Sequence, residues 1–121
     1  MATKTEIAAF EALYAEAVAE GKLAALAAEK TMAHYAITGG GKFYGTMHGT
    51  CGFGWVIVKD RKFGFWLKKM GYGRADHYYG GVCIWIGDYG QSYEMKEAHA
   101  YAMAKVLDLA GMKAYGAGRM D

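Results

Sequence analysis

The stretch Cys51-Gly-Phe-Gly-Trp-Val-Ile-Val58 decides the fold. Read two residues at a time, it sets Phe53, Trp55 and Ile57 on one side and Gly54, Val56 and Val58 on the other, the period of a β-strand. Its second half is apolar on both sides, as in a central strand covered twice. The glycines at its start leave backbone bare, and glycine inside a strand marks a bulge or a close approach by a ligand or another chain. Trp55 to Val58 therefore read as core, whereas Cys51 to Gly54 keep a functional option. A second run, Gly81-Val-Cys-Ile-Trp-Ile-Gly87, is again apolar on both faces and reads as another core strand.

Working outward, the composition changes near Thr38. Thirteen of the first 36 residues are alanine, and only one of the 18 glycines, Gly21, precedes Thr38. Alanine is the best helix former, so residues 5–32 read as helix, with Thr3 or Thr5 as N-cap and Glu6 set against the dipole. Ile7, Phe10, Tyr14 and Val18 form its apolar stripe, continued more weakly by Leu23, Leu26 and Met32. Gly21 between them ends or kinks the helix. Such a helix covers a face of the sheet, and its small residues also offer a route to self-association. His34–Thr38 and Lys42–His48 read as a hairpin across Gly39-Gly40-Gly41.

Phe63, Trp66, Leu67 and Met70 have helical spacing, with Gly71 as a C-cap and Lys68 and Lys69 favouring the dipole. Gly64 and the aromatics weaken that reading, so a short helix is favoured for 63–70 with a strand left open. Tyr72 to Tyr79 read as a loop. Ser92 caps a helix reaching Ala110, with Met95, Ala98, Ala102, Val106 and Leu109 as its inward stripe. Met112 to Tyr115 follow as a short last strand. The expected fold is α+β: an N-terminal Ala-rich helix, a four- to five-stranded mostly antiparallel sheet, and a long C-terminal helix packed on it before the last strand. With 121 residues the chain suits one domain, 1–33 as a helical arm and 34–121 as the α+β core.

The chain is 54% hydrophobic and 15% aromatic, which excludes a disordered chain. No run approaches the roughly 18 apolar residues of a membrane span, and no signal-peptide layout is present. The expected compartment is the cytoplasm, where Cys51 and Cys83 are reduced thiols. The formal net charge of +2 is small but unevenly spread: residues 59–74 carry +5 and the remainder −3.

That basic segment carries the strongest functional signal. Arg61, Lys62, Lys68, Lys69 and Arg74 are interleaved with Tyr72, Tyr78 and Tyr79; cations hold phosphates and tyrosine faces stack on bases. Arg119 joins this set if the last strand pairs beside the strand at 81–87. The bland alternative is a solvated basic edge with tyrosines filling the core rim. Gly39-Gly40-Gly41-Lys42 could present N–H groups to a phosphate, but does not match a nucleotide-hydrolysing loop. His48 and Cys51 have a gap a zinc site can use, yet nothing singles out the further ligands, so neither metal nor cofactor is expected. Cys51 beside His48 is also the candidate nucleophile–base pair. Cys83, mid-strand, reads as a small core residue.

Four segments carry a resemblance: Cys51–Val58, Tyr79-Gly-Gly-Val-Cys-Ile-Trp85, Gln91-Ser-Tyr-Glu-Met-Lys-Glu-Ala98 and Ala114-Tyr-Gly-Ala-Gly-Arg-Met-Asp121. Over about residues 51–121 the chain resembles a family of small uncharacterised proteins encoded by tailed bacteriophages, which has no established activity to transfer. The resemblance implies expression in the cytoplasm of an infected cell and a non-enzymatic role. The leading expectation is a binding protein that holds an anionic, nucleotide-like ligand or nucleic acid through Arg61, Lys68, Lys69, Tyr72, Arg74, Tyr78, Tyr79 and Arg119. The alternative is a protein–protein interaction module, either an inhibitor of a host or defence protein or a minor assembly component; an enzyme built on Cys51 and His48 is the third. A homo-oligomer fits every reading.

Overall fold

The computed structural model describes residues 2–31, 34–39, 42–48, 51–90 and 92–120, the side chains of 31–50 lying outside the described set. In chain order the elements are α1 (Lys4–Thr31), β1 (His34–Gly39), β2 (Lys42–His48), β3 (Gly52–Val58), α2 (Arg61–Met70), β4 (Arg74–Ala75), β5 (Val82–Trp85), α3 (Tyr93–Leu109) and β6 (Ala114–Met120). The fold is α+β. β1 and β2 pair as a separate antiparallel hairpin. The other strands form a four-stranded antiparallel sheet in the order β4-β5-β3-β6, with β3 at its centre. The turn expected at Gly39-Gly40-Gly41 falls partly on Gly40 and Gly41, which lie outside the described residues.

Helix starts follow from side chains that satisfy free backbone N–H groups. Thr3 and Glu6 cap α1 reciprocally: Thr3 Oγ1 accepts from the Glu6 N–H at 3.1 Å, and the Thr3 N–H donates to Glu6 Oε1 at 3.0 Å. The Thr3 N–H and the Lys62 ammonium together hold the Glu6 carboxyl below its ordinary range. Asp60 caps α2 by accepting from the Phe63 N–H at 2.9 Å, and Gly71 ends that helix in the left-handed region at φ 78°. This settles 63–70 as helix. Ser92 caps α3 by accepting from the Met95 N–H at 3.3 Å.

All three helices lie on one side of the sheet. On β3, Val56 and Val58 point to that side and pack with Val82 and Ile84 of β5 against Phe63 and Leu67 of α2 and Met103 and Leu107 of α3. α1 packs chiefly on α3 and also reaches α2, where Phe10 meets Phe63 edge-on at 5.2 Å; Phe10 and Ala17 belong to the same core. Gly21 does not break α1. A Cβ there would lie 2.6 Å from the His99 ring, so glycine lets α3 seat against an uninterrupted helix. The inward stripe beyond Phe10 is consequently Ala17, Gly21 and Ala25, while Leu23 and Leu26 are 60% and 53% exposed. Met32, the last member of the expected stripe, lies outside the described residues.

The stripe of α3 also differs from expectation. Met95 is buried, but Leu109 is 79% exposed, and the buried positions are Lys96, His99, Ala100, Met103, Ala104 and Leu107. The helix lies between the sheet and α1, so two of its sides are covered, and each takes a polar residue: Lys96 toward the sheet at Gly54 and His99 toward α1 at Gly21. Beneath it the sheet is paved with glycine. Cβ atoms added at Gly52, Gly54, Gly116 and Gly118 would come within 2.5–2.9 Å of Tyr93, Lys96, Tyr101 or strand backbone. Gly54 sits directly opposite Gly118 across the β3–β6 ladder. The bare backbone at Gly52 and Gly54 thus receives α3 rather than a ligand.

Candidate functional site

Among the described residues, the opposite side of the sheet has no helix on it. The alternation that turns Val56 and Val58 inward turns Phe53, Trp55 and Ile57 outward, and the register sets Trp85 and Cys83 of β5 and Tyr115, Ala117 and Arg119 of β6 beside them. Trp55 and Trp85 are directly opposed. Ile86 N–H donates to Gly54 O, so the adjacent pair is the hydrogen-bonded one and the two tryptophans occupy a non-hydrogen-bonded pair, where side chains come closest. Their rings stack with centroids 5.7 Å apart and planes 1° apart. Phe53 leans on Trp85 at 5.5 Å. Trp85 is 54% exposed. Trp55 Nε1 is buried and, among the described residues, makes no hydrogen bond.

Two cations stand over the Phe53 ring. Arg119, the cross-strand neighbour of Phe53, places Cζ 5.6 Å from its ring centre. Lys96 Nζ stands at the same 5.6 Å distance from that ring and donates to Gly52 O at 3.3 Å. Lys96 is itself buried, and no carboxylate among the described residues pairs with it. Arg74 lies opposite Cys83 at the β4 edge of the same face, where Tyr72, Gly73, Arg74, Cys83 and Trp85 line a cleft of about 430 Å³.

The lower part of the face is roofed by the loop after β4. Asp76 Oδ1 accepts from the N–H groups of Tyr78 and Tyr79 at 2.9 and 2.7 Å, and Lys59 Nζ donates to Tyr79 O. This sets the Tyr79 ring 6.4 Å from Trp55 and 6.5 Å from Tyr115, leaving Ile57 fully buried. Burial first, then the Asp76 charge, pushes the Cys83 thiol up to about 11, against a smaller opposing pull from Arg74. A thiol so shifted is protonated at neutral pH and a poor nucleophile. Burial likewise raises the Tyr115 hydroxyl.

The structure divides the residues that the sequence had grouped. Arg74, Tyr79 and Arg119 reach the open face, and Tyr72 borders its cleft. Arg61 and Lys68 stand on α2 beside a smaller cavity of about 240 Å³ that includes Lys59, Gly64 and Phe65, and Lys69 is exposed on the same helix. Tyr72 stacks on Tyr14 at 4.3 Å, and Tyr78 is 87% exposed. Arg119 arrives by a different route from the one expected, because β6 pairs with β3 and not with β5. Of the nucleophile–base candidates, Cys51 bridges to Ser92, and the His48 side chain lies outside the described set. Among the described residues, no three His, Cys, Asp or Glu side chains gather as a metal site requires, and no helix is long and apolar enough to cross a membrane.

Phe53, Trp55, Trp85 and Lys96 escape a reading that files both core strands as apolar on two sides. The available signal was an asymmetry of size: one side of β3 carries rings, the other only glycine and valine. No family model, curated protein or solved structure matches the chain, so the site is interpreted from its own residues.

Proposed function

We propose that this protein is a non-enzymatic binder that holds an anionic, base-bearing ligand, a nucleotide or a short single-stranded nucleic acid, on the open face of its sheet. The observation that carries this reading is the stacked Trp55–Trp85 pair, more than half exposed at Trp85 and lying on a helix-free face between Arg74 and Arg119. Large exposed aromatic surface is costly in water and marks a contact surface. A flat base extends the tryptophan stack, and the arginines meet its phosphates. Arg61, Lys68 and Lys69 on α2 add long-range attraction for an anion rather than direct contact. The setting we propose is the cytoplasm of an infected bacterial cell.

Titration of tryptophan fluorescence with mononucleotides and short oligonucleotides at low salt tests this. Saturable quenching is expected. Trp85→Ala should weaken oligonucleotide binding roughly 5- to 150-fold, the equivalent of about 1–3 kcal/mol for one stacked base. Arg74→Ala should lower the salt dependence by about one counterion. Absence of binding at low salt, where phosphate contacts are strongest, would overturn the proposal.

A second reading, a protein-interaction module, is favoured by Phe65, which is exposed on α2 beside a cavity of about 360 Å³ shared with Ala2, Arg61 and Lys62. Nuclease-resistant recovery of one stoichiometric partner, abolished by Phe65→Ser, would support it.

A further inference from the structure

The outer edge of β6 is the least protected feature of the sheet. Lys59 N–H donates to Lys113 O at 2.9 Å, which fixes the alternation along the β3–β6 ladder. Tyr115, Ala117 and Arg119 turn their backbone groups toward β3, while Ala114, Gly116, Gly118 and Met120 turn theirs out of the sheet. The Ala114 N–H confirms the direction, since it is capped by Asp108 Oδ1 at 3.1 Å. Beyond it, the outward N–H and C=O groups of Gly116, Gly118 and Met120 have no hydrogen-bond partner among the described residues. The strand is seven residues long, in unbroken register with β3, and contains no proline, lysine or bulge. These are the devices that ordinarily keep an edge from pairing.

We infer that this edge pairs with a second copy of the same chain, β6 against β6, antiparallel about a twofold axis. Outward-turned residues must face one another, which restricts the register to alternatives centred on Gly116, Ala117 or Gly118 or displaced further. Only the centre at Ala117 uses the whole strand. In it Gly116 of each copy exchanges both backbone bonds with Gly118 of the other. Tyr115 then falls opposite Arg119 in a non-hydrogen-bonded pair, where side chains are nearest. That contact sets a half-exposed ring against a cation, twice per dimer by symmetry. The neighbouring registers put Tyr115 opposite Ala117, or Arg119 opposite Ala117, and lose it. The strand is thus complementary to itself in its longest register, which points to another copy rather than an unrelated strand. The twofold axis runs through the sheet, so both aromatic faces lie on the same side and form one continuous surface over eight strands.

The inference rests on backbone direction and register, independently of the ligand reading, although Arg119 serves both. Light scattering and native mass spectrometry of the full chain from micromolar to millimolar concentration test it. A concentration-dependent dimer is expected. Tyr115→Lys places like charges across both symmetry-related contacts and should weaken dimerisation at least two- to thirtyfold, roughly what loss of two cross-strand pairs gives. Adding Arg119→Glu to Tyr115→Lys makes the facing charges opposite and should restore the dimer. Should Tyr115→Lys fail to fold, amide exchange in the unaltered chain gives the answer, with protection at Gly116, Gly118 and Met120 rising with concentration. A chain monomeric throughout, a dimer indifferent to Tyr115→Lys, or exchange at those amides independent of concentration would overturn the inference.

Discussion

Substituting Gly54 by alanine probes the contact on which the sheet–helix packing depends. The new Cβ would stand 2.7 Å from Lys96 O and 2.8 Å from Lys96 C, both backbone atoms that no rotamer change can move. Reaching ordinary contact at 3.4 Å requires α3 to lift by about 0.7 Å. A gap of that size forfeits roughly a quarter to a half of each dispersion contact it opens. A buried side chain of leucine size makes about 40–60 contacts worth about 0.1–0.2 kcal/mol each. A quarter of one such set is already about 1–3 kcal/mol, in line with the usual penalty for overpacking a core. The reduced chain entropy of alanine opposes this by no more than about 1 kcal/mol. Gly54→Ala should therefore destabilise the protein by about 1–3 kcal/mol, read as a lowered urea midpoint with an unchanged slope. Gly87→Ala is the control: nothing lies within 4 Å of its would-be Cβ and its backbone is not left-handed, so it should be neutral or stabilising by up to about 1 kcal/mol. If both substitutions change stability by less than about 0.5 kcal/mol, helix and sheet backbones are not in contact at Gly54 and the account of the glycines fails.

His99 should make stability depend on mild acidity. It is buried against Gly21, its Nδ1 lies 2.8 Å from the Tyr89 hydroxyl, and burial lowers its pKa below the ordinary value, opposed by Asp88 and assisted by Lys22. The unfolded chain then takes up the proton first, so stability is fully present above the ordinary histidine range and falls as pH drops below it. Urea midpoints across that window should show this, and His99→Gln should flatten the dependence. Cys83, with its thiol pushed up to about 11, should react with a thiol reagent slowly at neutral pH and progressively faster toward that value. Rapid labelling of Cys83 at neutral pH, in a Cys51→Ala background, would contradict that placement.

Most of the framework was legible in the sequence because local signals and tertiary packing agree there. Ser92 and Gly71 are caps by residue type, and the alternation of Cys51 to Val58 and Gly81 to Gly87 is strong enough to fix both strands. The misreadings have a shared cause. Hydropathy measures how apolar a residue is, not how much room it needs. On α1 it favoured Leu23 and Leu26 over Ala17, Gly21 and Ala25, although α3 comes too close for leucine. On α3 it passed over Lys96 and His99, whose polar ends find Gly52 O and the Tyr89 hydroxyl. Two-sided apolar character in β3 and β5 suggested two covered faces, yet one of those faces is only partly roofed and leaves Trp85 more than half exposed. The order of the strands could not be read at all. β6 returns to β3 across more than 50 residues, and no local pattern specifies that pairing.

The glycine pavement also governs the mechanics of the face behind it. At Gly54 and Gly116 the backbone of α3 itself, at Lys96 and at Ala100 and Tyr101, lies against the sheet, so the ladder cannot flex there without shifting α3. α3 is in turn held against α1 at Gly21. The Trp55 and Trp85 rings are thereby mounted on a stiff plate and are already parallel before anything touches them. A preorganised platform of this kind gives up little conformational entropy when it is occupied. It accepts partners by flatness and charge, and does not remodel itself around their sequence.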